Sequence, residues 1–184
     1  MNMDYSRRAV LGMSAIGLSG VAGCLSSDET ADSNGTDETS GSANSDADDD
    51  GILDANDDYP NDPDLSQKET KSDTRKIEED EWIYYEFDFD GSGFIEYDFI
   101  VREGPEIDVI FMDESEYTYF TNEDRFSYKS ALSAFESAGT TVSGTVTEGS
   151  YRLLLDNSNL GEASPPTNFS NDVVTVEFDL EIGR

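Results

Sequence analysis

Val174-Thr175-Val176-Glu177-Phe178-Asp179-Leu180-Glu181-Ile182 alternates apolar and polar residues without a break. A strand places successive side chains on opposite faces, so Val174, Val176, Phe178, Leu180 and Ile182 point one way and the polar set points the other. Such a strand needs an apolar partner on one side and tolerates water on the other, which is the habit of antiparallel sheets. Working backwards, Tyr151, Leu153 and Leu155 repeat the pattern after a Glu148-Gly149 turn, and Asp156-Asn157-Ser158-Asn159 ends that strand. Val142, Gly144 and Val146 make a shorter one, and Pro165-Pro166 marks a long crossing loop. Further back, Ile83, Tyr85, Phe87 and Phe89 lead into a turn at Gly91-Ser92-Gly93. Ile95, Tyr97, Phe99 and Val101 follow, then a turn at Glu103-Gly104-Pro105, then Ile107, Val109 and Phe111. This spacing predicts three antiparallel strands, each with one wet face.

Residues 113–124 are polar with Tyr117, Tyr119 and Phe120, which fits a loop or a short helical turn. Residues 126–138 suit a strand or a helix equally well. Roughly 20 inward apolar positions suffice for a single core, and about seven or eight strands of this spacing make a β-sandwich. The expected fold is therefore all-β, a small antiparallel β-sandwich over residues 79–184. Asp156 and Asn157 are expected to cap their turn through their side chains.

Gly104-Pro105-Glu106-Ile107-Asp108-Val109, Gly149-Ser150-Tyr151-Arg152-Leu153 and Leu155-Asp156-Asn157-Ser158 resemble GOLD-type domains. The resemblance covers most of residues 79–184. It implies a jelly-roll module that binds a protein or another ligand, with no catalytic residues to carry over.

Charge sets the expected surroundings. The 184 residues carry a formal net charge of −31, with no histidine. Self-repulsion on this scale opposes compaction in dilute buffer, whereas at molar salt the screening length falls to about 3 Å. Nucleic acid and anionic membrane surfaces are excluded as electrostatic partners. Among so many carboxylates, a pair of them says nothing by itself about acid–base chemistry.

Ser6-Arg7-Arg8-Ala9-Val10-Leu11 precedes an uncharged stretch that ends in Val21-Ala22-Gly23-Cys24, which holds the only cysteine. A cationic start, an apolar run of about 15 residues and small residues at its end read as a secretory signal over residues 1–23. An uncleaved membrane anchor is the alternative. Arg7 and Arg8 resemble the twin-arginine export signal, with Val10 where that pattern usually has Phe. Val21–Cys24 resembles a lipobox, which implies a lipid on the Cys24 sulfur and attachment to the outer face of the cell membrane. One acyl chain holds only marginally, and two hold. With its acidic, lysine-poor composition, the chain resembles exported lipoproteins of extremely halophilic archaea.

Residues 24–45 are expected to be a disordered acidic tether, because from Ser26 to Gly51 no large aliphatic or aromatic residue occurs. Asn34 and Asn168 each begin a glycosylation sequon. Over residues 46–64 the pattern sharpens into Asp46-x-Asp48-x-Asp50-Gly51-Ile52-Leu53-Asp54-x-x-Asp57, with Pro60, Asp62 and Pro63 after it. Calcium takes six to eight oxygens, which a sharply turning loop supplies from alternate positions. Asp46, Asp48 and Asp50 stand at positions one, three and five, and Gly51 at the turn. The Ile52 carbonyl, Asp54 and Asp57 follow at seven, nine and twelve. Asp57 replaces the longer Glu usual at twelve and weakens the expected affinity. The full spacing resembles a thrombospondin type 3 repeat, present once where such repeats usually run in tandem. An Asp-rich linker that produces the pattern by accident is the competing reading. Residues 65–78 read as a further linker.

These features together predict a monomeric, surface-displayed binding or adhesion module, not an enzyme, with calcium in its tether and a cell-surface protein or glycan as partner. A carboxylate-dependent hydrolase acting on cell-surface polysaccharide and a structural envelope component are the alternatives.

Overall fold

A computed structural model describes residues 45–163, 165 and 170–184. Eight strands occur among them: β1 (Lys68–Ile77), β2 (Glu81–Phe89), β3 (Gly93–Glu103), β4 (Ile107–Asp113), β5 (Ala134–Ser137), β6 (Gly139–Val146), β7 (Gly149–Asn157) and β8 (Val174–Gly183). Two four-stranded sheets result, ordered β1-β8-β3-β6 and β2-β7-β4-β5. Every pairing is antiparallel. Successive strands from β1 to β4 alternate between the sheets, and β5 to β8 run back through the gaps. That winding is a jelly roll.

The expected all-β sandwich is what the chain forms. The strands read around Ile83, Ile95 and Ile107 are all present, yet they do not pair with one another. β2 and β4 flank β7 in one sheet, and β3 lies in the other. Period-two alternation fixes which face a side chain takes, but not which sheet its strand joins. The Gly104 turn has φ +101°, and a Cβ there would lie 2.6 Å from the Val173 carbonyl oxygen. Only glycine fits that crossing between sheets.

The inner faces meet in one core. Phe178 is fully buried; its ring stacks on Tyr85 at 5.2 Å and on Tyr97 at 6.1 Å, and Phe111 stacks on Tyr151 at 5.2 Å. Tyr97 donates its hydroxyl to the Leu132 carbonyl at 3.1 Å, so its polar end is satisfied inside the core. The sheet containing β4 has a second packed face, which departs from the expectation of one wet side. Ile110, Met112 and Leu154 lie there under Phe120, which belongs to a short helix, α1 (Tyr117–Thr121). Residues 126–138, ambiguous in sequence, contribute a 3-10 turn at Ser130–Leu132 and then β5.

Residues 65–78, read as linker, are instead mostly β1, and the folded region begins before residue 79. β1 pairs with β8 along ten residue pairs, from Lys68↔Gly183 to Ile77↔Val174. Residues directly opposite share a face, so Arg75, Asp73 and Lys71 face inward with Val176, Phe178 and Leu180. Charged side chains on the inner face hid the strand from a search for apolar alternation. Arg75 pairs with Asp73 at 2.8 Å, and the Lys71 ammonium sits 4.5 Å over the Tyr85 ring. Their stems cover the sandwich edge while the charged heads reach its rim.

The outer face of β3 and β8 carries opposed carboxylates. Glu96 stands opposite Glu181, and Asp98 opposite Asp179. Directly opposed like charges destabilise a sheet, and salt screens them. The hydroxyl of Thr141 donates to Asp98 at 2.6 Å, and Lys68 pairs with Glu181 at 2.5 Å.

Candidate metal site

The acidic loop and the sandwich fall in one compact unit. The loop closes on itself first. Asp54 donates its amide to the Ser45 carbonyl at 2.9 Å, accepts the Ala47 amide at 2.8 Å, and also accepts the Ser45 hydroxyl. Gly51 has φ +93°, the left-handed turn its position in the pattern requires. The Gly51 amide donates to Asp46 Oδ2 at 3.1 Å, the Asp50 amide to Asp48 Oδ1 at 3.3 Å, and the Ile52 amide to Asp50 Oδ1 at 2.6 Å. Each carboxylate thus spends one oxygen on holding the backbone turn, which orients the other.

Asp46, Asp48 and Asp50 each present one carboxylate oxygen, and the three lie within 4.8 Å of one another. Asp57 is 9% exposed and accepts the Tyr59 amide on Oδ1 at 2.7 Å. Its Oδ2 is buried without a partner, as are Asp46 Oδ1 and Asp48 Oδ2. The Asp48 carboxyl is pushed up, first by loss of solvent and then by the charges of Asp50, Asp57 and Asp46; the Asp50 amide opposes this. The charge of Asp57 thus reaches the cluster, although Asp57 is not among the three whose oxygens lie within 4.8 Å of one another. A buried carboxylate oxygen with no donor is costly, and several turned together form a hard, anionic oxygen set of the kind calcium takes. The residues fit the ion.

Asp54, predicted at position nine, is engaged within the loop. Both Asp54 oxygens are engaged by Ser45 and Ala47, so Asp54 closes the loop from behind. Ile52 is partly buried with its amide committed to Asp50. Cys24, Arg7, Arg8, Asn34 and Asn168 lie outside the described residues.

The loop, expected within the tether, is instead attached to the sandwich. Tyr59, two residues past Asp57, donates its hydroxyl to Glu181 Oε1 at 3.2 Å. Its phenol is pushed up to about 12, by burial first and then by the Glu181 charge. Leu65 is buried beside it. A Cβ on Gly183 would come within 2.9 Å of the Tyr59 hydroxyl and 3.2 Å of Leu65, so the loop sits hard against the end of β8. The aromatic Tyr59 and the aliphatic Leu65, just past the acidic run, were the available signals.

One further concavity, of about 300 Å³, opens on the outer side of the β4 sheet between Phe126, Tyr128, Phe135 and Leu160, with Glu123 and Glu162 at its rim. Tyr128 there is 40% exposed and tilts on Phe135 at 4.9 Å.

No family model matches the chain, and no curated protein matches it in sequence. Among solved structures it is similar to a protein from work on disulfide-linked pili of Bacillus endospore appendages. That likeness has a TM-score of 0.31 at 10% identity and covers 64% of this chain and 90% of the other. At this level it carries no argument about function.

Proposed function

We propose that this protein is a lipid-anchored, non-catalytic binding module displayed on the outer face of the cell membrane, with one calcium ion held by Asp46, Asp48, Asp50 and Asp57. The observation that carries the ion is the trio of buried, partnerless oxygens on Asp46, Asp48 and Asp57. A small sandwich with an aromatic concavity and exposed tyrosines suits binding, and its partner is a cell-surface protein or glycan. Magnesium competes poorly, because it demands tight octahedral geometry and dehydrates reluctantly.

Calorimetry on the full chain in molar sodium chloride tests the ion. Calcium should give saturable heat with a Kd of about 10⁻⁴–10⁻³ M. Asp48→Asn with Asp50→Asn should weaken binding at least tenfold, since two of the four carboxylates lose their charge. Equal heats for the two proteins would show diffuse counterions only and would end the calcium reading.

Display is tested separately. The uncharged run ending at Cys24 motivates a lipid there, so Cys24→Ser should move the protein out of the membrane fraction or leave it unprocessed. A variant that fractionates and migrates as wild type would remove the anchor from the reading.

A further inference from the structure

We propose that the ion acts as a clamp on one end of the sandwich, so that occupancy of the loop fixes the start of β1 against the end of β8 and loss of the ion lets that edge open; this rests on the calcium reading above. The path is short and continuous. Asp57 leaves Oδ2 buried and unpartnered, with its charge acting on Asp48, and spends Oδ1 on the Tyr59 amide at 2.7 Å. Tyr59 carries the connection onward to Glu181 on β8, at 3.2 Å through its hydroxyl. Glu181 in turn holds the Lys68 ammonium at the first residue of β1. Asp58 runs alongside: its Oδ2 accepts the Lys68 amide at 2.8 Å, and its own amide donates to the Ser66 carbonyl at 3.1 Å. Ser66 and Gln67 then donate to the Arg184 carbonyl at 2.6 and 2.8 Å, and Arg184 returns its amide to Gln67 at 2.9 Å.

Position twelve of the loop is thus followed immediately by Asp58, which holds the first residue of β1, and Tyr59, which holds Glu181 on β8. Without a cation, Asp46, Asp48, Asp50 and Asp57 repel one another, and the least costly relief is to swing Asp57 away. That motion pulls on Tyr59 and Asp58. β1 is the strand most exposed to such a pull: it has one hydrogen-bonded neighbour, β8, and charged residues on its inner face. Opening at an edge strand is a local event that need not unfold the rest.

Hydrogen exchange on the full chain in molar sodium chloride, with and without calcium, tests the clamp. At free calcium ten times the measured Kd, an opening that requires the empty loop is suppressed about tenfold. Amides of β1 should slow by that factor, while those of β4 and β7, central in the opposite sheet, should not. Tyr59→Ala should still bind calcium by calorimetry yet lose the slowing in β1. Absence of saturable heat would defeat the calcium reading itself. Saturable heat with β1 unaffected, or with all strands slowed alike, would leave that reading standing and overturn the clamp.

Discussion

Asp108→Ala is expected to cost roughly 4 kcal/mol or more of stability, most of what holds a domain at the low end of ordinary marginal stability, about 5 kcal/mol. Asp108 is fully buried on the outer side of β4. Its carboxylate accepts three backbone amides: Glu136 at 2.8 Å, Ala163 at 2.8 Å, and Glu162. One side chain therefore ties β5 and the loop after β7 to the centre of the sheet. Alanine leaves three donors without their acceptor, the Ala163 amide fully buried and the Glu136 and Glu162 amides partly so, at about 1–3 kcal/mol each. Relief of the repulsion with Asp156, directly opposite on β7, returns part of that. Urea unfolding measures the loss, with Glu96→Ala on the outer face of β3 as a control. A cost for Asp108→Ala below about 1 kcal/mol would mean that the loop finds other acceptors.

The second large effect is a pH dependence opposite to that of most carboxylates. Asp156 is fully buried, its Oδ2 has no partner, and its Oδ1 accepts the Ser158 amide at 3.0 Å. Burial pushes its carboxyl from 3.8 up to about 6; hydrogen bonds from Ser158 pull it down, and the Asp108 charge pushes it further up. The folded state therefore holds the proton more tightly than the unfolded state. Above pH 6 the charged form burdens the fold. As pH falls through 6 toward 4 that burden is removed, and stability rises by about 3 kcal/mol at 1.36 kcal/mol per unit. Asp156→Asn mimics the protonated form, so it should be more stable than wild type at pH 8 and level with it near pH 4. Denaturant midpoints for the two proteins across that range decide it. Parallel curves would show that Asp156 does not titrate between those limits.

The fold was legible where burial is chemically simple. β8 carries aliphatic and aromatic residues at every inward position, and β3 and β7 carry them at most, so their faces were readable from alternation alone. β1 was not, because Lys71, Asp73 and Arg75 occupy inward positions at an edge where stems can be buried and heads left wet. The wrapping of β2, β3 and β4 between two sheets was also beyond alternation, since either sheet satisfies the same pattern. In the loop, the spacing of Asp46, Asp48 and Asp50 was readable because ligand spacing is a local property, and their carboxylate oxygens lie within 4.8 Å of one another. The Tyr59–Glu181 contact joins residues 122 positions apart, and no local spacing encodes it. Asp156 was read as a turn cap, and its Ser158 contact is that; its burial opposite Asp108 depends on strand pairing.

The inward charges of β1 bear on whether neighbouring copies can pair through their sheet edges. A net charge of −31 keeps copies apart in dilute solution, but at molar salt repulsion reaches only about 3 Å. Solubility then falls to contact chemistry, and the riskiest surfaces of a sandwich are its open strand edges, where free amides invite a neighbour. At its β1 edge the sandwich turns Lys71, Asp73 and Arg75 inward, so a second chain that docked there would strand those charges in a seam. At the far end of the other sheet, β5 is only four residues long and offers little to pair with. At the β1 and β5 edges, resistance to pairing with a neighbour is thus a matter of contact chemistry and needs no long-range field.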